Sequence, residues 1–198
     1  METRRKVANP LALAVLAGLL MGPMHPYEMG RQLKETGKDR NIKYNRGSLY
    51  MVVNQLAKAG FIVEHETVRD TQRPERTVYA LTDAGRAEAY DWMRELVATP
   101  HREYPRFGVA LSLLSIVEPA EAVTLLTRRL EALDGEIKEL NESRGKATDK
   151  GVPWVFLIED DHELGQLDAE RRFVTNLIER LQQPDYVRAW KEFFERES

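Results

Sequence analysis

Ser48, Met51, Asn54 and Gln55 recur at helical spacing on the side opposite Leu49, Val52, Val53 and Leu56. The apolar four fall at i, i+3, i+4 and i+7, the stripe by which a helix seats itself on a core. The opposite face gathers Gly47, Met51, Asn54, Gln55 and Lys58 and carries no acid. Asn and Gln amides can bond an adenine edge bidentately, while Arg and Lys can bond guanine or a phosphate. Lys43, Arg46 and Lys58 flank the amides. Tyr50 stands beside the apolar stripe, where packing and a phosphate contact weigh equally. This is the chemistry of reading a polyanion groove, and it makes Asn45 to Gly60 a candidate DNA recognition helix.

The remaining reactive side chains do not assemble into a catalytic or metal site. The 198-residue chain has no cysteine, which excludes disulfides, thiolate metal sites and Cys nucleophiles. Glu159 and His162 make one Glu-x-x-His spacing, but such metal sites use two copies, and acids at a helix start are favourable without a metal. His25, His65 and His101 are scattered, and no Ser/His/Asp set or Gly-rich phosphate loop lies in a convincing context. The expectation is a protein without catalytic residues, metal or cofactor, and not an enzyme.

The net charge of −3 conceals an asymmetry. Residues 1–100 hold 15 Lys/Arg against 12 Asp/Glu, and residues 101–198 hold 14 against 20. From Arg31 to Gly60 there are seven bases and two acids. Local field rather than net charge decides where phosphate docks. The longest apolar run, Leu11 to Met21, is too short to span a bilayer. It follows basic residues but leads to no small-residue cleavage site, so the expected location is the cytoplasm, with no membrane partner.

Around the candidate helix, start and stop signals divide the chain. Asn9-Pro10 pairs an N-cap with Pro at the first helical position, and Gly22-Pro23 stops that helix. His25-Pro26 begins a second, expected to bury Tyr27, Met29 and Leu33. Asn45 caps the third, and Gly60 ends it as a left-handed terminator. Phe61–Val63 and Thr77–Leu81 are β-type runs. The polar stretch Glu64–Arg76 between them is read as the basic tip of a hairpin, with Arg69, Arg73 and Arg76 as phosphate contacts. Thr82 caps a fourth helix that runs to Thr99-Pro100. Arg4, Arg5 and Lys6 read as a disordered solubilising start rather than a minor-groove arm. Three helices, a hairpin and a helix spell a winged helix-turn-helix, with the third helix in the major groove and the wing beside it.

Met24-His25-Pro26-Tyr27-Glu28-Met29, then Gly47-Ser48-Leu49-Tyr50 with Leu56 and Gly60, then Tyr79-Ala80-Leu81-Thr82-Asp83-Ala84-Gly85 occur in that order. Over roughly residues 9–98 this resembles the PadR family of transcriptional regulators. Val53, where the family often has a longer aliphatic residue, is a conservative departure. The resemblance implies a homodimeric winged-helix repressor with a helical C-terminal part, often responsive to a small aromatic or lipophilic effector.

Beyond residue 100 the rhythm changes. Pro105 to Val117 reads as a short apolar helix. Val123, Leu126, Leu130, Leu133, Ile137 and Leu140 then repeat at 3,4,3,4,3, a seam that keeps apolar residues on a partner helix. Gly145 to Pro153 reads as a loop. Trp154 to Leu181 resumes the seam with Leu164, Leu167, Val174, Ile178 and Leu181, and a short helix follows Pro184. Arg171 interrupts that seam, and solvent, a partner's acid or a cavity could each receive it. The fold expected is mostly α with a small β-hairpin: a winged helix-turn-helix DNA-binding domain over 1–100, then an α-helical dimerisation and effector domain over 101–198. Dimerisation is assigned to Val123, Leu126, Leu130, Leu133, Ile137, Leu140, Leu167, Val174, Ile178 and Leu181. Trp92, Trp154, Phe156 and Trp190 are candidate rings for stacking an effector. The expected partners are a pseudo-palindromic double-stranded operator, a second copy of the chain and a small-molecule effector. The alternative is a protein-interaction adaptor that dimerises through its C-terminal helices and no longer binds DNA.

Overall fold

Asn9 lies in extended backbone, and its side-chain oxygen accepts a hydrogen bond from Leu11 N at 3.0 Å, so helix α1 (Pro10–Leu19) begins where Pro needs no donor. The computed structural model describes residues 5–70 and 73–195; the side chains of 67–76 and 195 lie outside the description, as does Arg4. The chain divides into two units, Met1–Arg102 and Glu103–Ser198.

In the first unit, α1 is followed by α2 (Pro26–Glu35), a 3-10 turn (Lys38–Arg40), α3 (Arg46–Lys58), strands β1 (Ile62–Asp70) and β2 (Arg73–Leu81), and α4 (Asp83–Ala98). Helix α1 is buried on more than one stripe, because Leu11, Ala12, Leu13, Val15, Leu16 and Leu19 all enter the core. Ala17 is exposed. His25 caps α2 by accepting from Tyr27 N, and Glu28 accepts from His25 N, a reciprocal capping box. Met29 and Leu33 of α2 are buried as expected, but Tyr27 faces solvent. The antiparallel strands pair Ile62 with Leu81 and continue to Asp70 opposite Arg73, so most of the stretch read as a hairpin tip is strand. A two-way bond between Met24 and Tyr79, at 3.0 and 3.1 Å, ties the α1–α2 turn to β2.

The second unit contains α5 (Arg106–Ser112), a 3-10 turn (Leu114–Ile116), α6 (Pro119–Asp149), a 3-10 turn (Trp154–Phe156), α7 (Ile158–Leu181) and α8 (Pro184–Glu195). Ala122, Leu126, Val174 and Leu181 form its buried cluster. Arg129 pairs with Glu170 and Asp134 with Arg171, whereas Arg144, farther along α6, pairs with Asp161, earlier on α7, so the two helices are antiparallel. Three expectations are corrected. Pro105–Val117 is a seven-residue helix plus a 3-10 turn. Helix α6 runs through Gly145 to Asp149, because one exposed Gly costs a long, packed helix only about 1 kcal/mol. The last long helix begins at Ile158, after a 3-10 turn.

Candidate nucleic-acid interface

Helix α3 is fixed at both ends. Asn45 Oδ1 accepts from Ser48 N and Ser48 Oγ accepts from Asn45 N, each at 2.8 Å. At the other end Gly60 adopts φ +79°, Gly60 N bonds Ala57 O and Phe61 N bonds Leu56 O. This is a Schellman ending, and it needs a residue tolerant of the left-handed region. Leu49, Val52, Val53 and Leu56 are buried, so the register of the helix on the core is set.

That register turns Met51, Asn54, Gln55 and Lys58 outward, with Met51 52% exposed. Lys43 and Arg46 are exposed at the entry. Ser48 is half-buried and engaged in the cap, so its hydroxyl positions the helix. Tyr50 is half-buried, edge-on to His25 at 6.4 Å, with the Arg46 guanidinium 5.9 Å from its ring. Tyr44 Oη donates to Gly30 O at 2.6 Å and so fastens the connector to α2. Burial and then Asp39 raise the Tyr44 phenol above its ordinary pKa.

The wing follows from Thr82. Its hydroxyl lies 2.8 Å from Gly60 O and 2.9 Å from Phe61 O, within donating reach of either, and accepts from Gly85 N at 3.0 Å. A Cβ on Gly85 would stand 1.9 Å from Phe61 O, so that carbonyl and α4 can meet only across a glycine. One junction thus joins the end of α3, the base of the hairpin and the start of α4. Arg69 lies on β1, and Arg73 and Arg76 on β2; their side chains are outside the described residues.

Arg5 is ordered rather than free. Its guanidinium meets Glu88 at 2.8 Å, Asp91 at 3.2 Å and Glu95, over the Trp92 ring at 5.2 Å. Val7 enters the core, and Lys6 to Asn9 lie across a groove from α3. Lys6, Asn9, Met51, Gln55 and Lys58 line a groove of about 470 Å³ there. Sequence reading missed this arrangement. The available signal was on α4, where Glu88, Asp91, Trp92 and Glu95 share i, i+3, i+4, i+7 spacing, an acidic stripe around an aromatic ring that calls for a cation.

With this geometry in place, comparison with known proteins identifies the architecture. The profile of the Transcriptional regulator PadR-like family matches residues 15–91, from the middle of α1 to the middle of α4. Residues 15–91 are a PadR-like domain. The chain is similar to the negative transcriptional regulator PadR of Bacillus subtilis, with 26% identity over 147 residues, covering 74% of this chain and 79% of the relative. Crystal structures of Bacillus subtilis PadR share the fold. The complex with operator DNA matches with TM-score 0.71 at 20% identity, over 87% of this chain and 98% of that one. The complex with p-coumaric acid matches with TM-score 0.71 at 19% identity, over 87% and 99%. The chain is therefore similar in fold to winged-helix regulators over most of its length.

The four rings considered for an effector do not share a setting. Trp92 is 5% exposed in the core of the PadR-like unit. Trp190 donates to Ser115 O at 2.8 Å, just before α6, whereas Trp154 and Phe156 follow the far end of that 31-residue helix. At about 1.5 Å per residue the two places are some 46 Å apart, too far for one small molecule. Trp154 and Phe156 are exposed, at 73% and 63%.

The seam is largely closed within one chain. Leu126, Leu133, Leu140, Val174 and Leu181 are buried, whereas Val123, Leu130, Ile137, Leu167 and Ile178 are half-buried. Arg171 pairs with Asp134 of its own chain at 3.0 Å and with Asp168 at 3.7 Å. Among the described residues no His/Asp/Glu group could hold a metal ion, and no helix is long and apolar enough to cross a membrane.

Proposed function

We propose that the chain is a cytoplasmic, dimeric, sequence-specific repressor that binds a pseudo-palindromic operator and is released by a small aromatic or lipophilic effector. One observation carries the reading: the outward face of α3 presents Met51, Asn54, Gln55 and Lys58, free of acid, on a helix held rigid by caps and core. Asn54 and Gln55 read base edges, and Lys43, Arg46, Lys58 and the wing arginines Arg69, Arg73 and Arg76 neutralise phosphates. Release of counterions from those phosphates supplies much of the affinity. The relative named a negative regulator, and the PadR structures with operator DNA and with p-coumaric acid, support repression and an aromatic effector.

Dimerisation is supported by apolar surface left open on the second unit. Val109, Leu113, Ile116, Leu125, Phe173 and Phe193 are exposed, more than scattered surface hydrophobics explain. A dimer presents two α3 helices to half-sites about 34 Å apart. Trp154 and Phe156 are the rings available for stacking a planar effector. Selection of bound duplexes from a randomised pool tests the reading. It should recover a pseudo-palindrome with half-sites about one helical turn apart, and recovery of no enriched sequence would refute it.

A further inference from the structure

The groove between the N-terminal segment and α3 has features that base reading by α3 leaves unused. Lys6 and Lys58 stand among its lining residues with Asn9, Met51 and Gln55, and no acid lines it. Neither lysine forms an ion pair among the described residues. Lys6 is exposed, its ammonium 5.7 Å from the Phe61 ring. Its neighbours on both sides are anchored: Arg5 by the carboxylates of α4, and Val7 in the core. A lysine held this way loses less backbone freedom on meeting an anion than one on a loose tail.

We propose that this groove is a phosphate seat, in which Lys6 and Lys58 clamp one backbone phosphate of the duplex whose bases α3 reads. The inference rests on the proposed DNA-binding function. It makes the N-terminal segment a structured part of the interface, positioned by Arg5. A phosphate contact fixes register and carries no sequence information, so its effect is the same on every duplex. It also adds to the salt dependence, at about 0.9 in the slope of log affinity against log salt per phosphate neutralised.

The test is fluorescence anisotropy of a labelled random-sequence duplex of about three helical turns, titrated with the full chain between about 50 and about 200 mM salt. Lys6→Ala should lower the slope by about 0.9 per protomer and weaken binding roughly five- to tenfold near 0.1 M salt. Lys58→Ala should do the same, and Lys6→Arg should keep the wild-type slope. The Lys6→Ala melting curve should match wild type, because the side chain is exposed. Inorganic phosphate at matched ionic strength should leave the difference between wild type and Lys6→Ala unchanged. If Lys6→Ala keeps the wild-type slope while wild type binds, the phosphate seat is wrong. If free phosphate erases the difference, the groove is a small-anion site and the proposal is overturned. If wild type shows no salt-dependent binding to any duplex, the DNA-binding reading falls, and this inference with it.

Discussion

Arg5 lies with its guanidinium carbon 5.2 Å from the centre of the Trp92 ring, inside a ring of α4 carboxylates. Residues at opposite ends of the first unit are thereby joined. The Arg5 side chain is 9% exposed, while Asp91 is 69% exposed, so solvent screens part of the pairing. Arg5→Ala is expected to lower the unfolding free energy by about 2 kcal/mol, through lost stacking and an uncompensated acidic stripe. Arg5→Lys should recover only part, since an ammonium lacks the planar fork. Urea denaturation followed by circular dichroism measures both; a wild-type midpoint for Arg5→Ala would show the cluster to be ornamental.

Gly85 and Gly135 give opposite expectations for one substitution. At Gly85 an added Cβ would meet Phe61 O at 1.9 Å, so Gly85→Ala must push the hairpin off α4. A loss above about 3 kcal/mol is expected, enough to compromise folding of the first unit. At Gly135, inside α6, nothing lies within 4 Å, and Gly135→Ala should stabilise by about 0.5–1 kcal/mol. Paired thermal melts decide the matter, and the same sign of shift for both variants would contradict it.

Ser48 and Asn54 should separate stability from recognition. Ser48 closes the capping box with Asn45, so Ser48→Ala should cost about 1 kcal/mol of stability and leave base preference intact. Asn54 is exposed, so Asn54→Ala should leave the melting curve in place and flatten preference at one position of the selected site. Selection repeated with each variant, beside its melting curve, reads both effects; altered base preference in Ser48→Ala would return that hydroxyl to the DNA.

Tyr44 links stability to alkaline pH. Its pKa is raised, so the folded chain keeps this proton to higher pH than the unfolded chain does. The resulting stabilisation is complete below about pH 10 and is lost as pH rises through the folded-state value. Tyr44→Phe removes the 2.6 Å bond to Gly30 O and should cost about 1 kcal/mol at neutral pH. It should also flatten the decline above pH 10 in a urea-midpoint series. An equally steep decline in the variant would assign the alkaline loss elsewhere.

Local signals in the sequence carried much of the fold. Asn9, Asn45, Thr82 and Gly60 act where cap and terminator chemistry placed them, because each works within a few residues of chain. The spacing of Leu49, Val52, Val53 and Leu56 likewise fixed which side of α3 faces out. Features that depend on distant partners were not legible. Arg5 had no local reason to be ordered, since its acids lie 83 to 90 positions away. The strands take in Glu64–Asp70 and Arg73–Arg76 because ladder bonds, not side-chain alternation, hold them. The heptad seam signalled a partner helix, but periodicity does not say whether the partner is α7 of the same chain or a second copy. Seating of Ser48 in the cap was visible in the Asn-x-x-Ser spacing and outweighed by its helix face.

If the outward face of α3 reads DNA, Asn54 and Gln55 carry the base preference. The most direct measurement is an anisotropy titration of wild type and the Asn54→Ala, Gln55→Ala double variant on the selected duplex and on a scrambled duplex of equal length. The double variant should lose about 1–3 kcal/mol per amide on the selected duplex and bind the scrambled one as wild type does. Wild-type affinity of the double variant for the selected duplex would contradict the claim, and would leave α3 as a scaffold helix rather than a reader.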